Sequence, residues 1–153
     1  MPRKMTEQER QAFLAEPRIG VLSVANGGDR PPHTVPLWYA YQPGGDLTFF
    51  TGTQGRKARK TGLIKQAGVL SLCVQHDEFP YKYVTVEGSL IQVDQPPSPE
   101  QLLAIVRRYL PEEQARGFVA AELENPGADF VLFTIRPDRW LSTDFSEEND
   151  AAS

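Results

Sequence analysis

The sequence predicts a mainly β protein, an antiparallel barrel of six short strands with peripheral helices. Three observations support this class. Apolar and β-branched segments recur at close spacing with turn residues between them. The two longest helical patterns lie next to each other late in the chain and do not alternate with strands, which argues against a parallel βαβ sheet. The length of 153 residues suits one domain, so we expect residues 1–153 to form a single barrel domain.

The first third of the chain predicts a short helix followed by three strands. Thr6 and Glu9 have the spacing of a capping box, and the helix that they begin ends before Pro17. The predicted strands are 19–25, 33–42 and 47–51, and glycine- and proline-rich turns separate them. Pro36 lies inside the second strand. Because proline cannot donate a backbone hydrogen bond, we expect that strand to be interrupted or to lie at an edge.

The rest of the chain predicts three more strands and three helices. The predicted strands are 69–74, 82–93 and 130–135, and the predicted helices are 55–67, 98–110 and 111–125. Gly88 marks the point where the long strand is expected to bend around a barrel. Ser98 and Pro99 are the N-cap and the first helical residue of the second helix. The acidic tail 144–153 is expected to fray.

Composition and charge argue against several classes of protein. The 16 basic and 20 acidic residues give a formal net charge of -4, which is unfavourable for a general nucleic-acid binder. Since no apolar segment approaches the roughly 20 residues of a membrane span, we expect no membrane partner and a cytoplasmic location. The single Cys73 allows no intramolecular disulfide. It lies between Leu72 and Val74 in a predicted strand, and we expect it to be a small core side chain.

No familiar catalytic motif is present in the sequence. It has no glycine-rich dinucleotide or phosphate loop, no nucleophile elbow and no paired cysteines. The two histidines, His33 and His76, lie at the ends of predicted strands, where we expect them to be solvated. We therefore predict no metal site and assign no catalytic side chain.

One basic cluster stands out in this acidic protein. Five cations lie within ten positions with no acid among them: Arg56, Lys57, Arg59, Lys60 and Lys65. The cluster follows a strand and the turn residues Gly52 and Gly55, at the expected start of a helix. Helix N–H groups, threonine hydroxyls and cations together favour a phosphate. A solvated basic helix face is an interpretation of equal weight. RNA is a third one, but the aromatic residues do not interleave with the basic residues as base stacking requires.

Three segments, taken in order, carry a resemblance to a known family. They are PHTVPLWY at 32–39, FFTGTQGRKA at 49–58 and YKYVTVEGSLIQVD at 81–94. The second segment is similar to the phosphate loop of the pyridoxamine 5'-phosphate oxidase-like superfamily, and the other two resemble its ring-lining strand and its long strand. The resemblance implies that family's FMN-binding split barrel, an antiparallel six-stranded Greek-key fold with peripheral helices.

The resemblance also implies a cofactor site. Arg56 and Lys57 would hold the cofactor phosphate beside Gly55, which stands where the oxidase has a serine, and Lys60 would be a third contact. Eight further residues match the family's cofactor contacts. The residues along the isoalloxazine ring would be Thr34, Val35, Pro36, Leu37 and Trp38. Phe50 and Thr51 would lie beside the ribityl chain, and Tyr83 would reach the cofactor from a partner subunit. The last of these contacts implies a homodimer.

The resemblance implies a flavin-dependent oxidoreductase that binds FMN at a dimer interface and transfers hydride to or from a small organic substrate. Two alternatives stay open. One is a reductase that uses a deazaflavin coenzyme of the F-420 type, whose charged tail would suit the additional cations of the basic cluster. The other is a non-catalytic flavin- or haem-binding protein. After Trp140 the chain lacks the arginine and histidine of the oxidase, so we do not expect a true pyridoxamine 5'-phosphate oxidase.

The aromatic residues near the ring-lining strand allow two interpretations. Trp38, Tyr39 and Tyr41 would either wall a pocket for a planar substrate or pack in the barrel as ordinary core residues.

Overall fold

The computed structural model describes residues 2–52, 59–125 and 129–146, and it contains seven strands and four helices. The strands are β1 (Gly20–Val24), β2 (His33–Leu37), β3 (Tyr39–Tyr41), β4 (Leu47–Gly52), β5 (Val69–His76), β6 (Lys82–Asp94) and β7 (Phe130–Asp144). The helices are α1 (Glu7–Ala15), α2 (Arg59–Ala67), α3 (Pro99–Val106) and α4 (Glu112–Glu124). The predicted mainly β class is confirmed.

The strands form one antiparallel sheet in the order β2-β1-β5-β6-β7-β4-β3. The two edge strands of this sheet, β2 and β3, follow each other in the chain with Trp38 alone between them. The two edges therefore meet, and the sheet curls into a barrel. We predicted one strand over 33–42 and observe two, because the chain leaves β1 before Trp38 and joins β4 after it. This division accounts for seven strands instead of six.

The long β6–β7 hairpin contains the predicted bend. The pairing register shifts between Glu87 and Gly88, where Gly88 faces Pro137 and Asp138 is left as an extra residue. A Cβ atom at Gly88 would collide with the Ile135 side chain and lie 2.8 Å from the Arg136 carbonyl oxygen, so a glycine is required. We predicted that the last strand ends at 135. The bulge accommodates the proline, and β7 continues to Asp144.

Two apolar clusters stabilise the fold. The barrel interior contains the larger one, whose fully buried members include Leu22, Tyr39, Phe49, Leu72, Val84 and Phe133. Helices α1 and α2 pack against it through Phe13, Leu14 and Ile64. The second cluster lies between the barrel and the α3–α4 hairpin and is built on Leu102, Val106, Ala115, Val119 and Phe130. The helix predicted over 98–110 is present as α3, which buries Leu102, Ile105 and Val106, but it ends at Val106 and residues 107–110 form a turn.

Both predicted capping boxes are present. Thr6 and Glu9 exchange side-chain and backbone hydrogen bonds at the start of α1, and Ser98 and Gln101 do the same at the start of α3. None of the described helices is long and apolar enough to cross a membrane.

The end of β7 is held by the N-terminal segment. Arg3 and Asp144 exchange two backbone hydrogen bonds, of 3.0 and 2.8 Å. The Asp144 side chain is buried and lies 3.2 Å from Arg3 Nη2. The tail that we expected to fray from residue 144 is therefore ordered at its first residue. Residues 147–153 lie outside the described part of the chain.

Candidate functional site

The predicted phosphate loop lies between two well-defined elements. Residues 53–58, which include the predicted contacts Gly55, Arg56 and Lys57, are outside the described residues. The loop leaves β4 at Gly52 and enters α2 at Arg59.

Two hydrogen-bonded links hold the start of α2. Arg59 donates from Nε to Asn26 Oδ1 at 3.1 Å, and its Nη2 donates to the same oxygen. Thr51 and Thr61 form a buried hydrogen bond of 2.7 Å between their hydroxyl oxygens, which joins the end of β4 to α2. Asn26 follows β1, whose last residue pairs with His33 at the start of β2. The basic helix therefore begins beside the start of the predicted ring-lining strand.

The cations of α2 are not neutralised by described carboxylates. Arg59 is bonded to the amide of Asn26, and Lys65 donates to the amide oxygen of Gln95 at 2.9 Å. Lys60 is half-buried. Within the described ranges no carboxylate forms an ion pair with these three residues, whereas Arg18, Arg107, Arg116, Arg136 and Arg139 all pair with acids. The start of α2 therefore has a local positive charge that suits an anionic group.

The predicted ring-lining strand has a free edge. Among the described strands, β2 pairs with β1 alone. The Thr34 and Pro36 side chains are exposed, and Val35 and Leu37 pack against the barrel core. The peptide groups along the unpaired edge of β2 are thus available to a ligand with polar groups along its rim. The expectation of an edge strand at Pro36 is confirmed.

The side chains predicted beside the ribityl chain are engaged within the protein. Phe50 packs edge to face against Phe130, with ring centroids 5.9 Å apart, under the α3–α4 hairpin. Thr51 is 1% exposed, and its hydroxyl is bonded to Thr61. These two residues position β4 and α2, and their cofactor contacts remain predictions.

The three aromatic residues near β2 have different environments. Tyr39 and Tyr41 are 0% and 3% exposed, and they pack inside the barrel. Trp38 is half-buried and stacks on Tyr109, with ring centroids 5.0 Å apart and an interplanar angle of 6°. The packing interpretation is thus correct for the two tyrosines. Trp38 alone keeps a partly accessible side chain.

Tyr109 is a residue of this region that the sequence did not single out. Its hydroxyl accepts a hydrogen bond from Tyr39 N–H at 3.2 Å and donates to the Arg18 carbonyl at 2.7 Å. Burial raises the pKa of Tyr109, so the hydroxyl stays protonated and able to donate. From the sequence Tyr109 is only one residue of the predicted helix 98–110, because nothing local indicates a contact with a strand 70 residues away.

One outer face of the barrel carries a row of mostly apolar side chains that no described element covers. The registers of β2, β1, β5, β6 and β7 align one cross-strand row on this face: Pro36, Val21, Cys73, Thr85 and Leu141. Val21 and Leu141 are 40% and 42% exposed, and the predicted partner contact Tyr83 is 38% exposed. Cys73 is half-buried in this row, so the prediction of a core cysteine was wrong. Alternation along β5 identifies two faces but does not say which one is inside.

The two histidines lie where the sequence placed them. His33 begins β2 and His76 ends β5. His76 Nδ1 donates to the Glu78 carbonyl oxygen at 2.7 Å.

Solved structures with the same fold include proteins named for cofactor chemistry. An F420 reductase is 25% identical with a TM-score of 0.64, over 86% of this chain and 94% of that chain. An FAD-binding protein from Mesorhizobium loti is 21% identical with a TM-score of 0.61, over 94% of this chain and 96% of the other. A conserved hypothetical protein from Mycobacterium tuberculosis is 22% identical with a TM-score of 0.68, over 95% and 88% of the two chains.

Sequence comparison identifies the family. No curated protein matches the chain. The family profile described as pyridoxamine 5'-phosphate oxidase matches residues 6–144, which includes every described strand and helix of the barrel. This chain therefore belongs to the pyridoxamine 5'-phosphate oxidase family.

Proposed function

We propose that this protein is an oxidoreductase that binds FMN along β2 and transfers hydride to or from a small organic substrate. The observations that carry the proposal are the free edge of β2 and the cations of α2, which form no ion pair with a described carboxylate. The hydrogen bonds from Arg59 to Asn26 hold the start of α2 near the end of β1, the strand that pairs with β2. An extended ligand with a flat polar ring at one end and a phosphate at the other fits this arrangement.

The described residues support the ring end of a flavin site, and the sequence supports the phosphate end. At the ring end, the unpaired peptide groups of β2 offer hydrogen bonds, and the exposed Thr34 and Pro36 leave room beside the strand. At the phosphate end, Arg56 and Lys57 come just before α2 in the sequence, and α2 carries no acidic residue. A phosphate there would receive charge-assisted hydrogen bonds.

The chain contributes binding and positioning to the reaction. A bound flavin supplies the hydride chemistry. The strand β2 orients the ring through its backbone, and the cations at α2 hold the phosphate. Trp38 and its stacking partners lie at the far end of β2 and exclude water from that side. In this mechanism no side-chain base is required.

A second copy of the chain is part of the proposal. The uncovered row through Val21 and Leu141 lies on the outer face that begins at β2. Apolar side chains that are exposed together on one face favour a protein interface. A homodimer formed through this face would bring Tyr83 of one subunit towards the cofactor of the other, as the family resemblance implies.

A deazaflavin coenzyme of the F-420 type is the second candidate cofactor. Arg59, Lys60 and Lys65 lie beyond the two cations that one phosphate needs, and none has a carboxylate partner among the described residues. A coenzyme with a polyanionic tail would use these charges. The likeness at 25% identity to a protein named F420 reductase supports this candidate.

Cofactor titration tests both candidates. Purified apo-protein is titrated with FMN and, separately, with the deazaflavin coenzyme, and quenching of cofactor fluorescence is followed at physiological salt. We expect tight binding of one of them. In the double variant Arg56→Ala with Lys57→Ala, binding should weaken by about 3–6 kcal/mol, because each charge-assisted phosphate contact contributes roughly 1.5–3 kcal/mol.

A charge-matched control separates the site from the net charge. Arg107 and Arg116 both pair with Glu112 on the α3–α4 hairpin, remote from α2. The double variant Arg107→Ala with Arg116→Ala removes the same number of cations and should keep the wild-type affinity. Equal affinities of the two double variants would contradict the phosphate site. Failure of the wild-type protein to bind either cofactor would contradict the proposed function.

A further inference from the structure

The break between β2 and β3 is filled by the connection between α3 and α4. Two side chains from this connection, Arg108 and Tyr109, reach the barrel. Arg108 Nη1 donates to the Tyr41 carbonyl oxygen at 3.2 Å, and its guanidinium lies 5.3 Å from the centre of the Tyr39 ring. Tyr109 contacts the backbone of Tyr39, just after the break, and of Arg18, which precedes β1. The helical hairpin is therefore attached to the point where the barrel closes.

Tyr109 satisfies backbone groups that the break leaves without strand partners. At Trp38 the chain has left β1 and is about to pair with β4. The Tyr109 hydroxyl accepts from Tyr39 N–H at 3.2 Å and lies 3.2 Å from the Tyr39 carbonyl oxygen. It also donates to the Arg18 carbonyl, just before β1, at 2.7 Å. The partly buried Tyr109 hydroxyl thus holds the closing strand to the segment that precedes β1.

The ring of Tyr109 fixes the residue at the break itself. It stacks on the Trp38 indole at 5.0 Å, and Phe118 of α4 lies against the same indole at 6.0 Å. The Trp38 indole is held by the rings of Tyr109 and of Phe118 in α4, and the backbone of its neighbour Tyr39 is held by the Tyr109 hydroxyl. A strand end that is fixed by both its side chain and its backbone has little conformational freedom to lose when a ligand binds.

We propose that Tyr109 is a positioning residue for the cofactor site, which it serves by holding the end of β2 at Trp38 in the geometry that the ring requires. This inference rests on the proposed function, because it assumes that the cofactor ring lies along Thr34–Trp38. Tyr109 acts through β2 and does not itself contact the cofactor. Loss of its hydroxyl frees Tyr39 N–H and the Arg18 carbonyl while the ring stack remains.

The test compares two variants that each lose one tyrosine hydroxyl that is hydrogen-bonded within the protein. Tyr109→Phe removes the hydroxyl at the break. Tyr41→Phe removes a hydroxyl that accepts from Gly44 N–H at 3.3 Å in the β3–β4 turn, away from β2. For each variant we would measure the affinity for FMN and for the deazaflavin coenzyme, the position of the visible absorption band of the bound cofactor and the midpoint of urea unfolding.

We expect Tyr109→Phe to weaken binding of the native cofactor by roughly threefold to tenfold, the equivalent of one hydrogen bond. The visible band should also shift, because it reports on the hydrogen bonds to the ring. Both variants should lower the midpoint of urea unfolding to a similar extent, but Tyr41→Phe should leave the cofactor affinity and the visible band unchanged. Equal affinities and bands in both variants would overturn the inference while the proposed function stands. If the wild-type protein binds neither cofactor, the proposed function fails and the inference fails with it.

Discussion

The outer surface of the barrel has a covered side and an uncovered side. On the side of β4, Phe50 and Phe130 lie under the α3–α4 hairpin of the same chain, and Phe130 is 8% exposed. On the side of β1 and β7, Val21 and Leu141 project in the same outward direction and are 40% and 42% exposed. Both sides carry large apolar residues, but the described residues cover only one of them.

The two sides have the same local pattern. In β4 and in β1 the residues alternate between the barrel interior and the outer face. What differs is the segment packed outside: residues 99–124 form a helical hairpin that covers β4, and among the described elements no helix is packed over the row through Val21 and Leu141. The described residues thus cover one of the two outer surfaces that carry large apolar side chains, and we propose a second copy of the chain as the cover of the other.

The largest expected effect comes from the covered side. Phe130→Ala removes a ring that packs against Phe50 and contacts the helical cluster, so a cavity forms that the hairpin cannot fill. We expect a loss of about 3–5 kcal/mol in the free energy of unfolding, measured by urea denaturation. Leu123→Ala is the control, because Leu123 lies on the same hairpin and is 40% exposed. It should change stability by less than about 0.5 kcal/mol. Similar losses in both variants would show that the hairpin does not form an ordered cover.

An intermediate effect is expected at Gly88 of β6, opposite the bulge in β7. Gly88→Ala places a Cβ atom against the Ile135 side chain and the Arg136 carbonyl oxygen. Because that oxygen belongs to the backbone of β7, it cannot move aside easily. Overpacking of this kind should cost roughly 1–3 kcal/mol in thermal or urea unfolding. The matched control is Gly62→Ala in α2, where a Cβ atom meets nothing within 4 Å. The control should be neutral or stabilise the protein by up to about 1 kcal/mol, since alanine favours a helix. A Gly88→Ala variant as stable as its control would contradict the close contact of β6 with β7.

The smallest effect on folding, and the most informative for the uncovered side, is expected from Leu141→Asp. The side chain is 42% exposed, so the folded subunit should keep its stability within about 0.5 kcal/mol. A carboxylate in the proposed dimer interface should convert the dimer into monomers, as measured by sedimentation velocity. Leu123→Asp on the covered side is the control and should leave the dimer intact. A wild-type monomer, or dissociation by both variants, would contradict an interface on this face.

Much of the fold is predictable from local patterns. The capping boxes of Thr6 and Ser98 place two helix starts correctly, because capping involves residues three positions apart. The bend at Gly88 follows from the absence of a side chain, and the edge position at Pro36 from the absence of an N–H. The predicted end of the last strand at residue 135 was wrong. Pro137 would terminate a regular strand, but here the bulge opposite Gly88 accommodates it.

The candidate site was predictable only in part. The basic residues of α2 and the edge strand β2 are visible as sequence patterns, and the structure places them next to each other through Asn26 and Arg59. The sequence did not indicate that Phe50 faces the helices or that Cys73 lies on the outer face. A two-residue period assigns neighbours to opposite faces, but packing decides which face is buried.

By itself the sequence determined the class of the fold, the segments that form strands, and the charge that marks α2, because each of these depends on residues close together in the chain. The tertiary structure decided how the barrel closes and which surface stays uncovered. Tyr39 and Tyr109, which meet at the closing break, are 70 residues apart, and the outer row through Val21 and Leu141 requires five strands in register. Contacts of this kind depend on strand register and helix packing, which no short window of sequence contains.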